Sequence, residues 1–179
     1  MTAIIFPGQG SQYVNMSMDF NANFDVARKV FQEIEDSTQI NIRKIIAENP
    51  LDNLNQTNYT QISIFSASMA IYKSLLSEFG NEIIKPKFLL GHSLGEYSAL
   101  VAGNYINIKD ASILIKRRGE LMHSSIQPNI SGMAAIIGKN ADFIDEVINK
   151  NNLKIVIAND NSPMQVVVSG LIEDINISE

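Results

Sequence analysis

The chain has no cysteine. That excludes a disulfide framework, a thiolate nucleophile and any cysteine-ligated metal site. No other residues fall at metal-ligand spacing, so neither a metal nor a bound organic cofactor is expected. No apolar run approaches the roughly 20 residues of a membrane-spanning helix, and no membrane partner is expected. Basic residues are in deficit, with 14 Lys and Arg against 19 Asp and Glu and a formal charge of −5, which gives no reason to expect nucleic-acid binding. Internal repeats and low-complexity tracts are missing too. The N-terminus runs at once into a short apolar strand candidate, Thr2 to Phe6, so no signal or transit peptide is expected. What remains is 179 residues, 45% of them hydrophobic, enough to bury a real core. These bulk properties agree with a cytoplasmic enzyme.

The most informative stretch is Gly91-His92-Ser93-Leu94-Gly95. An apolar run, Phe88-Leu89-Leu90, precedes it, and a helix-forming run, Glu96 to Ala102, follows. Strand, Gly-x-Ser-x-Gly turn and helix in that order predict a nucleophile elbow with Ser93 exposed at the turn. The glycines suit a tight turn where strand and helix pass close together. Free N–H groups at the start of the helix can stabilise an oxyanion. A second stretch, Pro7-Gly8-Gln9-Gly10-Ser11-Gln12, follows the first strand candidate. It reads either as a plain turn or as a loop that brings the Gln9 amide and backbone N–H groups to a substrate.

Hydrophobic spacing predicts helices over 24–36, 40–48, 59–79 and 107–125, with Gly80 capping the third. Beyond these the texture changes. Strands are expected at 132–138, 154–158 and 165–169, with a helix at 141–150 between the first two. This β–α–β–β run reads as the first part of a ferredoxin-like unit whose last helix and strand would lie further on. Pro128-Asn129 is the expected junction, giving units 1–127 and 128–179.

On the predicted 107–125 helix, Arg118 shares a face with Leu114, Leu121 and Met122. A buried arginine requires an anionic partner, and its fork matches a carboxylate. A surface ion pair is the competing reading. Arg117 shares its face with Glu120 and is expected to be more solvated.

Phe6 to Gln12 and Gly91 to Ala99 together resemble the malonyl-CoA:acyl carrier protein transacylase family. The resemblance continues through Arg118-Gly119, Gly132 to Gly138, Asn159 to Pro163 and Gln165 to Gly170. It covers the first three-fifths of a family member. It implies an α/β fold in which an α/β-hydrolase-like parallel sheet carries an inserted ferredoxin-like small subdomain, both incomplete here. It also implies a monomeric enzyme whose partners are malonyl-CoA and acyl carrier protein.

The roles it implies follow residue by residue. Ser93 is the nucleophile, and Gln9 and Leu94 form the oxyanion hole. Arg118 grips the free malonyl carboxylate. Met122 and Met133 resemble acyl-pocket methionines, though methionines at helical or strand spacing are more often plain core. Asn159 and Asn161 match a loop near the site mouth and equally suit turns. Gln61 resembles a substrate-binding glutamine, although the proline that usually follows it is Ile62 here. The catalytic histidine of the family lies beyond residue 179, and neither His92 nor His123 replaces it. Three further readings stay open: an acyltransferase of a polyketide synthase, a serine esterase or thioesterase, and an inactive fragment that only binds coenzyme A or carrier protein.

Overall fold

The computed structural model describes residues 2–80, 84–125 and 130–178. They fall into two units, Met1–His123 and Ser124–Glu179. The expected junction at Pro128-Asn129 lies outside the described residues.

In the first unit, strand β1 (Ala3–Phe6) is followed by helices α1 (Met18–Asn23), α2 (Asp25–Thr38) and α3 (Ile42–Glu48) and a 3-10 turn, Pro50–Asn55. Helix α4 (Thr57–Phe79), strand β2 (Phe88–Gly91) and helices α5 (Gly95–Ala102) and α6 (Ile108–Ser124) complete it. The helical spacing of α2 puts Ala27, Val30, Phe31 and Ile34 on one buried face, against α4. The Asn41 side chain caps α3 by accepting from the Lys44 N–H. Helix α4 is buried nearly all round over its first half, from Thr60 to Ala67, so it acts as the central pillar of the unit. Its predicted stop holds: Gly80 has φ +75°, which suits glycine. Strands β1 and β2 pair in parallel, Ala3 opposite Phe88 and Phe6 opposite Gly91, so both loops leave the same end of the sheet. That is where parallel α/β sheets place their sites.

The second unit runs β3 (Ser131–Ile137), α7 (Ala141–Asn151), β4 (Ile155–Ser162), β5 (Gln165–Leu171) and α8 (Ile172–Ser178). Its antiparallel sheet has the order β3-β5-β4, and Ile144, Ile155, Val166, Val168 and Ile175 form its core. The third strand lies between the first and second, as in a ferredoxin-like unit.

Two sequence expectations need correction. The final helix of that unit begins within the chain, as α8, because Ile172 and Ile175 give it an apolar side that packs on the sheet beside Gly132. The Asn159–Ser162 segment is strand, not loop. Asn159 pairs with Val167 and Asp160 with Val166. Two register irregularities, between Ile157 and Asn159 and between Asp160 and Ser162, absorb residues with poor strand preference.

Candidate active site

The turn from β2 into α5 places Ser93. Its φ is +50°, the left-handed conformation that non-glycine residues seldom adopt. Such strain marks a position where the fold dictates where the side chain goes. Both flanking glycines have a steric reason. A Cβ on Gly91 would lie 2.0 Å from the Gly95 carbonyl carbon, and one on Gly95 would lie 2.2 Å from the Phe6 carbonyl oxygen. The elbow is therefore pressed against the end of β1. Gly8 continues this packing, since a Cβ there would lie 2.6 Å from the His92 carbonyl oxygen and 2.8 Å from Nδ1 of the same residue.

Ser93 is exposed, while Leu94 beside it is buried at 1% exposure and anchors the turn in the core. The Gly95 N–H donates to the His92 carbonyl at 2.9 Å, and the Glu96 N–H to the Ser93 carbonyl at 3.2 Å. Among the described residues, the backbone N–H groups of Leu94 and Gln9 find no acceptor. They are thus available to an incoming oxygen. The Gln9 side chain donates from Nε2 to Thr57 Oγ1 at 3.3 Å, which ties this loop to the start of α4. Gln12 makes a second tie, from Nε2 to Asn55 Oδ1 at 3.2 Å.

Arg118 reaches the same point from α6. Its Nη2 donates to Ser93 Oγ at 3.0 Å, and its Nη1 donates to Gln61 Oε1. The guanidinium also sits over the Tyr97 ring, 5.9 Å from the centroid. Gln61 Nε2 in turn contacts Met122 Sδ at 3.1 Å. Arg117 points elsewhere and pairs with Glu120 at 3.4 Å, as its helical position predicts. One expectation is corrected here. The face of Leu114, Leu121 and Met122 is half exposed, and α6 instead buries Ala111, Ser112, Ile115 and Gly119. Arg118 flanks that buried stripe. Its partners are an amide, a hydroxyl and an aromatic ring, with no carboxylate among the described residues.

Gly119 explains how α6 comes so close to α4. A Cβ there would lie 3.0 Å from Asn58 Cα and 3.2 Å from the Thr57 and Asn58 carbonyl oxygens. The close neighbours are backbone atoms that yield little, so in Gly119→Ala the overpacking cost of about 1–3 kcal/mol is expected to outweigh the roughly 1 kcal/mol that alanine gains over glycine in a helix, a net destabilisation of about 1 kcal/mol. Thermal or denaturant unfolding measures this, and an unchanged stability would contradict the close approach.

Ser93, Leu94, Gln9, Arg118, Gln61 and Met122 thus gather in the first unit. Met133 lies in the second unit on β3 at 61% exposure, and Asn159 and Asn161 lie there on β4, where Asn161 Nδ2 donates to Gln165 Oε1 at 3.2 Å. His92 and His123 are exposed, and among the described residues no histidine hydrogen-bonds to Ser93 Oγ. Sequence reasoning missed Thr57, which contacts Gln9 from 48 positions away and has no local signal. It also missed Tyr97, on the first turn of α5, whose ring lies by the Arg118 guanidinium. Among the described residues, no group of three His, Asp or Glu side chains could hold a metal ion, and no helix is long and apolar enough to cross a membrane.

A strained, exposed serine in a strand–turn–helix elbow on a parallel pair of strands, with an arginine donating to its hydroxyl, places the site in the α/β class with a Gly-x-Ser-x-Gly elbow. The sequence matches the acyl transferase domain family over residues 3–177, and the chain belongs to that family. It is 34% identical to the malonyl CoA-acyl carrier protein transacylase of Bacillus subtilis strain 168, over 98% of this chain and 55% of that protein. An acyl-carrier-protein-S-malonyltransferase from Bartonella henselae superimposes with a TM-score of 0.90 at 35% identity, over 99% of this chain and 58% of that one. A malonyl-transacylase solved in complex with a type II PKS acyl-carrier protein superimposes with a TM-score of 0.88 at 34% identity, over 98% and 56%. The chain spans about half the length of the relatives it matches.

Proposed function

We propose that this chain carries the nucleophile and carboxylate-binding part of a malonyl-CoA:acyl carrier protein transacylase. The observation that carries the reading is the Arg118 guanidinium at 3.0 Å from Ser93 Oγ. An arginine fork beside a strained, exposed serine suits an acyl group that itself bears a carboxylate. The Ser93 oxygen attacks the thioester carbon of malonyl-CoA, and the carbonyl oxygen becomes an oxyanion against the free Leu94 and Gln9 N–H groups. The carbon–sulfur bond breaks, coenzyme A leaves as the thiol, and a malonyl-serine ester remains. Arg118 moves its donors from Ser93 Oγ to the free malonyl carboxylate, and Met122 flanks the acyl chain. The phosphopantetheine thiol of acyl carrier protein then attacks the ester and regenerates Ser93.

The serine proton needs an acceptor, because a hydroxyl is a weak nucleophile alone. We assign that role to the histidine that the family resemblance places in the part of the relatives this chain does not span. The reading places the enzyme in the cytoplasm, as a monomer acting in fatty-acid synthesis. The relative solved with a polyketide carrier supports the same chemistry on such a carrier as a second reading. A plain esterase is disfavoured, because neutral esters have no use for Arg118.

The test is prolonged incubation with malonyl-CoA followed by intact-mass and peptide mass spectrometry. One malonyl adduct is expected, on the peptide carrying Ser93, and Ser93→Ala removes it. An adduct on another residue, or one that survives Ser93→Ala, overturns the assignment.

A further inference from the structure

Arg118 is held by groups that carry no charge. Gln61 Oε1 accepts from Nη1, Ser93 Oγ accepts from Nη2, and the Tyr97 ring lies under the guanidinium. Gln61 is itself 1% exposed, on the first turns of α4. A buried amide must satisfy its polar atoms. Here Oε1 faces the guanidinium and Nε2 faces the Met122 sulfur at 3.1 Å. The opposite orientation would set two donors against each other, so the arginine fixes the amide and the amide fixes the arginine. A glutamate has almost the same shape and would bond Arg118 more strongly, yet it would cancel the charge.

We infer that Gln61, on α4 facing Arg118 of α6, is a positioning residue that sets acyl selectivity: it holds Arg118 at Ser93 without neutralising it, which leaves a full positive charge for a carboxylate on the acyl group. This rests on the reading of Arg118 given above. A carboxylate entering next to Ser93 meets a guanidinium already oriented and lacking an anionic partner among the described residues, so binding displaces no internal ion pair. Holding the guanidinium in one rotamer also lowers the ordering cost of binding.

Titration calorimetry with malonyl-CoA and acetyl-CoA separates the possibilities, with the melting temperature of each variant as a fold check. The unmodified protein is expected to prefer malonyl-CoA. Gln61→Glu is expected to reduce that preference by about tenfold or more, as loss of a charge-assisted partner does, and to leave acetyl-CoA binding within about twofold. Gln61→Met keeps the length of the side chain and loses the acceptor. It is expected to weaken malonyl-CoA binding by about fivefold and to spare acetyl-CoA, so it carries the test if Gln61→Glu fails to fold. A Gln61→Glu protein that folds and keeps its malonyl preference overturns the inference. Equal losses on both donors in either variant also overturn it, because they mark a purely structural glutamine. If the unmodified protein shows no preference and Arg118→Ala changes nothing, the reading of Arg118 itself fails, and the inference with it.

Discussion

Arg118→Ala is expected to slow malonyl loading of Ser93 by about 30-fold or more while acetyl loading holds or rises. The guanidinium contacts Ser93 Oγ at 3.0 Å and has no acidic partner among the described residues, so its charge is free for the substrate. Losing one member of a desolvated charge pair costs about 2–5 kcal/mol, and each 1.4 kcal/mol is a factor of ten. Acetyl groups bring no carboxylate and forfeit nothing. They gain from an Oγ no longer engaged by a cationic donor. Single-turnover acylation rates with malonyl-CoA and acetyl-CoA give the comparison directly. Equal losses on both donors would make Arg118 a structural residue and remove the main support for malonyl specificity.

The second large effect concerns turnover. Residues 1–179 alone are expected to transfer malonyl groups to holo-acyl carrier protein about 10²–10⁴ times more slowly than the Bacillus subtilis relative, the range that positioned proton transfer contributes. Among the described residues no histidine bonds to Ser93 Oγ, so that contribution is missing while the strained serine, the free N–H groups and Arg118 remain. Groups that act as a unit lose most of their joint effect when one is absent. Supplying the C-terminal part of that relative, by fusion or in trans, is expected to recover much of the rate. Rates from 1–179 alone that match the relative would show that His92, His123 or another residue of this chain is the base.

Much of the site could be read from the sequence because its chemistry is local. The elbow needs a strand, two small residues and a helix within about a dozen positions, and those constraints sit next to each other at Phe88–Ala102. Chain spacing likewise separated Arg117 from Arg118, since each helix face collects residues three and four apart. Other errors came from local preference overridden by pairing. Asn159 and Asn161 suit turns by composition, yet β5 offers Val167 opposite Asn159, and Asn161 falls in one of two register irregularities that let the strand continue to Ser162. The apolar look of Leu114, Leu121 and Met122 suggested a buried face, but α6 turns the stripe through Ile115 and Gly119 inward instead.

By itself the sequence determined the Gly-x-Ser-x-Gly elbow around Ser93, the order of strands and helices around it, the absence of a cysteine nucleophile and the family resemblance. Each of these depends on residue types at short, fixed separations. Tertiary structure alone decided what holds Arg118. Gln61 is 57 residues away and Ser93 is 25, and they meet only because Gly119 lets α6 press against α4 while Gly91 and Gly95 let the elbow press against β1. The same packing decided that Gln9 would be tied to Thr57 rather than left free. Side-chain partners across such distances are fixed by how closely backbones approach, and that depends on the volumes of every residue packed between them.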